Sequence, residues 1–116
     1  MAFRLIWTDT ASQPFSDLQA AAKAGLEAHK RVKKTKTSKQ EGLFKQVLKC
    51  IDLLAANPRH PGLQTHAYSS IAHPYKPNEK VFEAYVQHRT PAAYRVFWCY
   101  GPNKGDITLL AITPHP

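Results

Sequence analysis

Acidic residues are scarce in this chain of 116: 8 Asp and Glu stand against 16 Lys and Arg, a formal charge of +8. Such an excess attracts polyanions before contact, which favours nucleic acid or an acidic protein as partner but says nothing of fold. Cysteine is nearly absent. Cys50 and Cys99 are the only two, set in the apolar runs Val47-Leu48-Lys49-Cys50-Ile51 and Phe97-Trp98-Cys99-Tyr100. They supply neither a disulfide framework nor metal-ligand spacing, so they read as small core residues in a reducing cytoplasm. No apolar run is long enough to span a membrane, and Met1 to Asp9 lacks an apolar stretch followed by a small-residue cleavage site, so neither membrane nor signal peptide is expected.

Familiar chemical motifs are missing as well. There is no nucleophile elbow, no phosphate-cradling glycine loop and no histidine pair at helical spacing with a third ligand. The six histidines, His29, His60, His66, His73, His88 and His115, are scattered and read as exposed or hydrogen-bonded imidazoles. Neither a metal nor an organic cofactor is expected. Repeats and low-complexity tails are lacking too, and the length suits one domain, residues 1–116, with one two-layer core.

What is present is patterned. The tail from Val81 to Pro116 holds three apolar, β-rich runs separated by Thr90-Pro91 and by Gly101-Pro102-Asn103-Lys104-Gly105, which reads as an antiparallel meander whose last strand is Asp106 to Ile112. Phe3 to Thr8 reads as a first strand. Ser12, Pro14 and the helical spacing of Phe15, Leu18, Ala22 and Leu26 predict a helix from about Pro14 to about Arg31. A second helix starts at the capping box Ser38-Lys39-Gln40-Glu41, carries the stripe Leu43, Phe44, Val47, Leu48, Ile51, Leu54 and Ala55, and stops at Asn57-Pro58. The expected fold is α+β: a helical hairpin on one face of a small, mostly antiparallel four-stranded sheet in the order β-α-α-β-β-β. The polar segment Gln64 to Tyr68 is a candidate extra edge.

Two features point to function. Lys30, Arg31, Lys33, Lys34 and Lys36 crowd the connection between the helices, readable as a solvated loop or as a phosphate-contacting arm. Arg95 interrupts the apolar run Tyr94 to Tyr100, where a guanidinium is costly unless something anionic meets it. It could clamp a phosphate, or it could pair internally with Glu83 on the neighbouring strand. Alternation puts Arg95, Phe97 and Cys99 on one face and Tyr94, Val96, Trp98 and Tyr100 on the other, without saying which faces outward. His115, just beyond the last strand, could reach the face of Arg95 and move a proton near neutral pH, or could belong to a frayed end.

Asn57-Pro58-Arg59-His60-Pro61-Gly62-Leu63, Val81-Phe82-Glu83-Ala84-Tyr85, Ala93-Tyr94-Arg95-Val96-Phe97-Trp98 and Ile107-Thr108-Leu109-Leu110 together resemble the RelE/ParE superfamily of toxins from toxin-antitoxin pairs. The resemblance covers nearly the whole chain, and Arg95 in its Tyr-Arg-Val setting is its most specific point. For the RelE branch it implies a ribosome-dependent, metal-independent endoribonuclease that cuts mRNA, inhibits translation and is neutralised by a cognate antitoxin. Arg95 would steady the phosphorane, His115 would act as acid or base, and Lys30, Arg31, Lys33, Lys34, Lys36 and Arg59 would hold RNA by charge. Members often end with a tyrosine after that histidine or arginine, whereas Pro116 stands here; Tyr85, Tyr94 or Tyr100 could take its place. The ParE branch implies instead a non-enzymatic inhibitor of a protein such as DNA gyrase, and an inactive RNA-binding relative is a third reading.

Overall fold

The computed structural model describes residues 2–32, 39–87 and 93–114. The first apolar run becomes strand β1 (Arg4–Trp7), and the chain passes directly into helix α1 (Asp9–Val32). Thr8 makes that abrupt change possible: its Oγ1 accepts the amide of Ala11 at 3.2 Å, which is the bond an N-cap residue supplies. The helix thus begins five residues before the expected start at Pro14. Pro14 instead lies inside it, where it has no N–H to give to the carbonyl of Thr10, an exposed residue. Helix α2 (Lys39–Ala56) follows; Ser38 of the expected capping box lies outside the described residues.

A 3-10 turn at Pro61–Leu63 leads into β2 (His66–Tyr68), and the tail supplies β3 (Val81–Tyr85), β4 (Tyr94–Tyr100) and β5 (Asp106–Pro114). The meander is as expected, with the last strand two residues longer. The candidate edge at Gln64 to Tyr68 does pair, so the sheet has five strands in the order β1-β5-β4-β3-β2. All pairings are antiparallel except that β1 runs parallel to β5. Arg4 fixes that edge by a two-pronged contact with Asp106, Nε to Oδ1 at 3.0 Å and one terminal nitrogen to Oδ2 at 3.1 Å.

The register between β4 and β5 slips where Phe97 faces Ala111 and Trp98 faces Leu109, leaving Leu110 as an extra residue. The Thr8 hydroxyl, 3.0 Å from the carbonyls of both Leu109 and Leu110, satisfies the kink, so one side chain both caps α1 and ties it to the bulge.

Both helices cover one face of the sheet. Ala11 from α1 and Val47, Cys50, Ile51 and Leu54 from α2 are buried against Ala84, Val96, Trp98, Ile107, Leu109 and Ile112. Replacing Leu54 by Ala in this layer costs about 2–5 kcal/mol, the usual range when a buried leucine leaves a cavity. Among the described residues no helix is long and apolar enough to cross a membrane.

The second face is partly roofed by the segment between β2 and β3. His73 anchors it: Nδ1 accepts the amides of Tyr75 (3.2 Å) and Lys76 (3.0 Å), so Nε2 carries the proton and donates to the Tyr100 carbonyl at 3.0 Å. The Thr108 hydroxyl donates to the Gly101 carbonyl at 2.8 Å, leaving its oxygen to accept the Tyr75 hydroxyl at 3.0 Å. Gly101 has φ +118, and a Cβ there would sit 3.2 Å from the Tyr75 ring, so the turn needs glycine on both counts. Under this roof Phe97 and Cys99 are buried, Phe97 against the Tyr68 ring at 4.6 Å.

Candidate functional site

The bonds that hold the roof fall at the Tyr100 end of β4, and Arg95 lies towards its other end. On β4 the helix-facing set is Val96 and Trp98, with Tyr94 packed against the same core; Arg95 therefore lies on the opposite face. Tyr94 and Arg95 do not share a surface.

Arg95 is 8% exposed. One terminal nitrogen donates to the carbonyls of Gln87 (2.9 Å) and Tyr94 (3.1 Å), and the guanidinium carbon lies 3.8 Å from the centroid of the Tyr85 ring. Carbonyl oxygens and an aromatic face thus meet the buried cation, both of which favour a guanidinium. Nε is buried without a hydrogen bond among the described residues. The second terminal nitrogen makes no protein hydrogen bond there either.

Glu83, the alternative partner weighed for Arg95, meets a histidine. Because β2 pairs with β3, His66 stands opposite Glu83, and its Nε2 lies 2.6 Å from Glu83 Oε1. The His66 ring also meets the edge of Tyr85, with centroids 5.5 Å apart. His66 and Arg95 therefore flank one tyrosine, and Glu83 and Thr113, the register partner of Arg95, complete the same surface.

The other residues read from the sequence are spread more widely. Lys30 and Arg31 fall in the last turn of α1; Lys33, Lys34, Lys36 and His115 lie outside the described residues. Arg59 is exposed and its amide closes an Asx turn on Asn57 Oδ1 at 3.1 Å. It lines a cavity of about 370 Å³ with Phe82, Trp98 and Tyr100, at the end of β4 away from Arg95. Five residues of strand separate the two ends, about 16 Å at the usual rise.

His66 and Glu83 are what sequence reasoning missed as a pair. The cue was available in the polar character of Gln64 to Tyr68, but the register with β3 was not. Cys99, on the Arg95 face, is no nucleophile: burial pushes its thiol up to about 11. Among the described residues no three His, Cys, Asp or Glu side chains are grouped to hold a metal ion.

No protein-family model matches the chain, and no curated protein matches it. Solved structures do. The YoeB/ParE toxin from Agrobacterium tumefaciens superposes with a TM-score of 0.62 at 7% identity, over 97% of this chain and 99% of that one. The YoeB dimer from Staphylococcus aureus gives a TM-score of 0.57 at 10% identity over the full length of both chains. The archaeal RelE-RelB complex from Pyrococcus horikoshii OT3 gives 0.57 at 13%, over 98% of this chain and 96% of that one. Identities this low speak for architecture and not for activity. The chain thus shares the fold of these RelE and YoeB/ParE toxin structures, an α+β arrangement with two helices laid on one side of a mixed sheet.

Proposed function

We propose that this protein is a RelE-like toxin that cleaves mRNA on the ribosome, without a metal, and is held in check by a cognate antitoxin. What supports the reading is the seat of Arg95: a permanent cation on the sheet face away from the helices, anchored through one terminal nitrogen, with the other making no protein hydrogen bond among the described residues. Its register partner is Thr113, near the end of β5.

The chemistry asks little more than position and charge. The ribose 2′-hydroxyl attacks the adjacent phosphorus, the bond to the 5′-oxygen breaks, and the products are a 2′,3′-cyclic phosphate and a 5′-hydroxyl. Arg95 stabilises the charge that builds on the phosphorane, where fixed donors count most. His115 takes the 2′-hydroxyl proton as base. Lys30, Arg31, Lys33, Lys34 and Lys36 form an arm for ribosomal RNA, with Arg59 a second contact at the far end of β4, and the site of action is the cytoplasm. The relative solved as a RelE-RelB complex supports an antitoxin as the protein partner.

One observation favours a second reading, a ParE-like toxin that blocks a protein target without chemistry: Arg95 keeps only 8% of its surface, as an architectural residue does. Induced expression followed by mapping of mRNA ends separates the two. Codon-phased cuts support cleavage, whereas growth arrest with intact mRNA and a DNA-damage response supports the ParE-like reading.

A further inference from the structure

We infer that His66 is the general acid of the cleavage step, with Glu83 as its positioning residue, an inference that rests on the nuclease reading above. The His66 ring has two polar neighbours. Nε2 lies 2.6 Å from the carboxylate of Glu83, and Nδ1 lies 3.1 Å from the backbone carbonyl of Gln64. A carbonyl only accepts, so the Gln64 contact suits a proton on Nδ1, and the form of the ring that acts as an acid, with a proton on each nitrogen, satisfies both contacts at once.

Burial assigns the two roles. The Glu83 side chain is 1% exposed and the His66 side chain 48%, so the carboxylate is the hidden holder and the imidazole faces solvent. A buried carboxylate on one ring nitrogen fixes the tautomer and orientation and leaves the other nitrogen to transfer protons, the logic of acid-base dyads on unrelated folds. Here the working atom is Nδ1, whose present partner is a surface carbonyl that water can replace.

Location supplies the substrate. His66 and Arg95 sit on either side of the Tyr85 ring, at 5.5 Å centroid to centroid and 3.8 Å from the guanidinium carbon. In this proposal a phosphodiester held by Arg95 passes the edge of that ring and presents its 5′-oxygen to His66. The proton balance then closes. His115 takes the 2′-hydroxyl proton, the O2′–P bond forms, the P–O5′ bond breaks, and His66 Nδ1–H protonates the departing 5′-oxygen, leaving the ring neutral with Nε2–H on Glu83.

The test is a change of leaving group. The purified full chain is incubated with ribosomes carrying either an ordinary mRNA or one whose 5′-oxygen at the cut site is sulfur, because a thiolate departs without being protonated. On the oxygen substrate His66→Gln loses about 100-fold or more, the usual reach of a general acid, while on the sulfur substrate it cuts within a few-fold of wild type. Glu83→Gln shows the same selectivity with a smaller loss, and thermal melting of both variants tracks folding. Equal losses on both substrates, or no loss on either, overturn the assignment of His66 while leaving the nuclease reading intact. A wild-type chain that cuts neither mRNA ends both.

Discussion

Arg95→Ala costs this protein stability before it costs it any activity. The Tyr94 carbonyl also accepts the amides of Val86 (3.1 Å) and Gln87 (3.3 Å), so it stays satisfied when the guanidinium goes. The Gln87 carbonyl has no such reserve among the bonds described. Losing one hydrogen bond from a charged donor removes about 1.5–3 kcal/mol. Losing the cation from a desolvated tyrosine face removes about 0.5–2 kcal/mol more. Relief of the buried charge returns part of the sum, and about 2–4 kcal/mol of net destabilisation remains, a large share of what a domain of this size holds. Urea unfolding of wild type and Arg95→Ala at constant slope reads this directly. Adding Tyr85→Leu completes a double-mutant cycle with a coupling of about 1 kcal/mol between the two residues. A variant within about 0.5 kcal/mol of wild type, the range of ordinary surface substitutions, refutes the anchored-guanidinium account. Activity lost by Arg95→Ala has to be compared at a temperature where both proteins are folded; Arg95→Lys keeps the charge but not the fork.

Three further outcomes follow from single sites. His73→Ala orphans the two amides and one carbonyl that the ring now serves and costs about 2–4 kcal/mol in urea unfolding, with early proteolytic nicking between Tyr75 and Lys80; a variant as stable and as resistant as wild type contradicts the roof described above. Burial pushes the Cys50 thiol up to about 12 and that of Cys99 up to about 11, so neither reacts with a thiol reagent at pH 8 until denaturant is added, and a fast equivalent in the native protein argues against that burial. The hydrogen bond from Arg4, with its charge and the amide of Asn103, holds the Asp106 carboxyl below the usual carboxylate range. A lowered carboxyl stabilises the fold above its unfolded value near 4 and loses that contribution as pH falls through the folded value, so the gap between wild type and Arg4→Ala closes in acid and is open at pH 7. A gap independent of pH rules the pair out as its cause.

Much of the architecture was legible in the residues because its signals are local. Alternating β-rich runs broken by Gly101 to Gly105, and an apolar stripe at threes and fours from Leu43 to Ala55, declare strand and helix without reference to anything distant. The start of α1 was misread for the same reason: Pro14 is a strong local helix-start signal, whereas Thr8 caps the helix with an oxygen that also serves carbonyls a hundred residues away. The site was legible only in part. Arg95 declared itself by being a charge among apolar neighbours. Its company did not, since pairing Glu83 with His66 instead of Arg95 depends on β2 joining the sheet in one register, which no single stretch encodes. Tyr94 was a candidate, with Tyr85 and Tyr100, to stand in for the family's terminal tyrosine; strand alternation turns it to the helices and sets Tyr85 beside the guanidinium.

The central claim is that the Arg95 face cuts RNA. Purified protein added to translating ribosomes, with the new mRNA ends identified chemically, tests it most directly. The account predicts fragments carrying a 2′,3′-cyclic phosphate and a 5′-hydroxyl, formed in the presence of a chelator. Intact mRNA on stalled or freely translating ribosomes contradicts it.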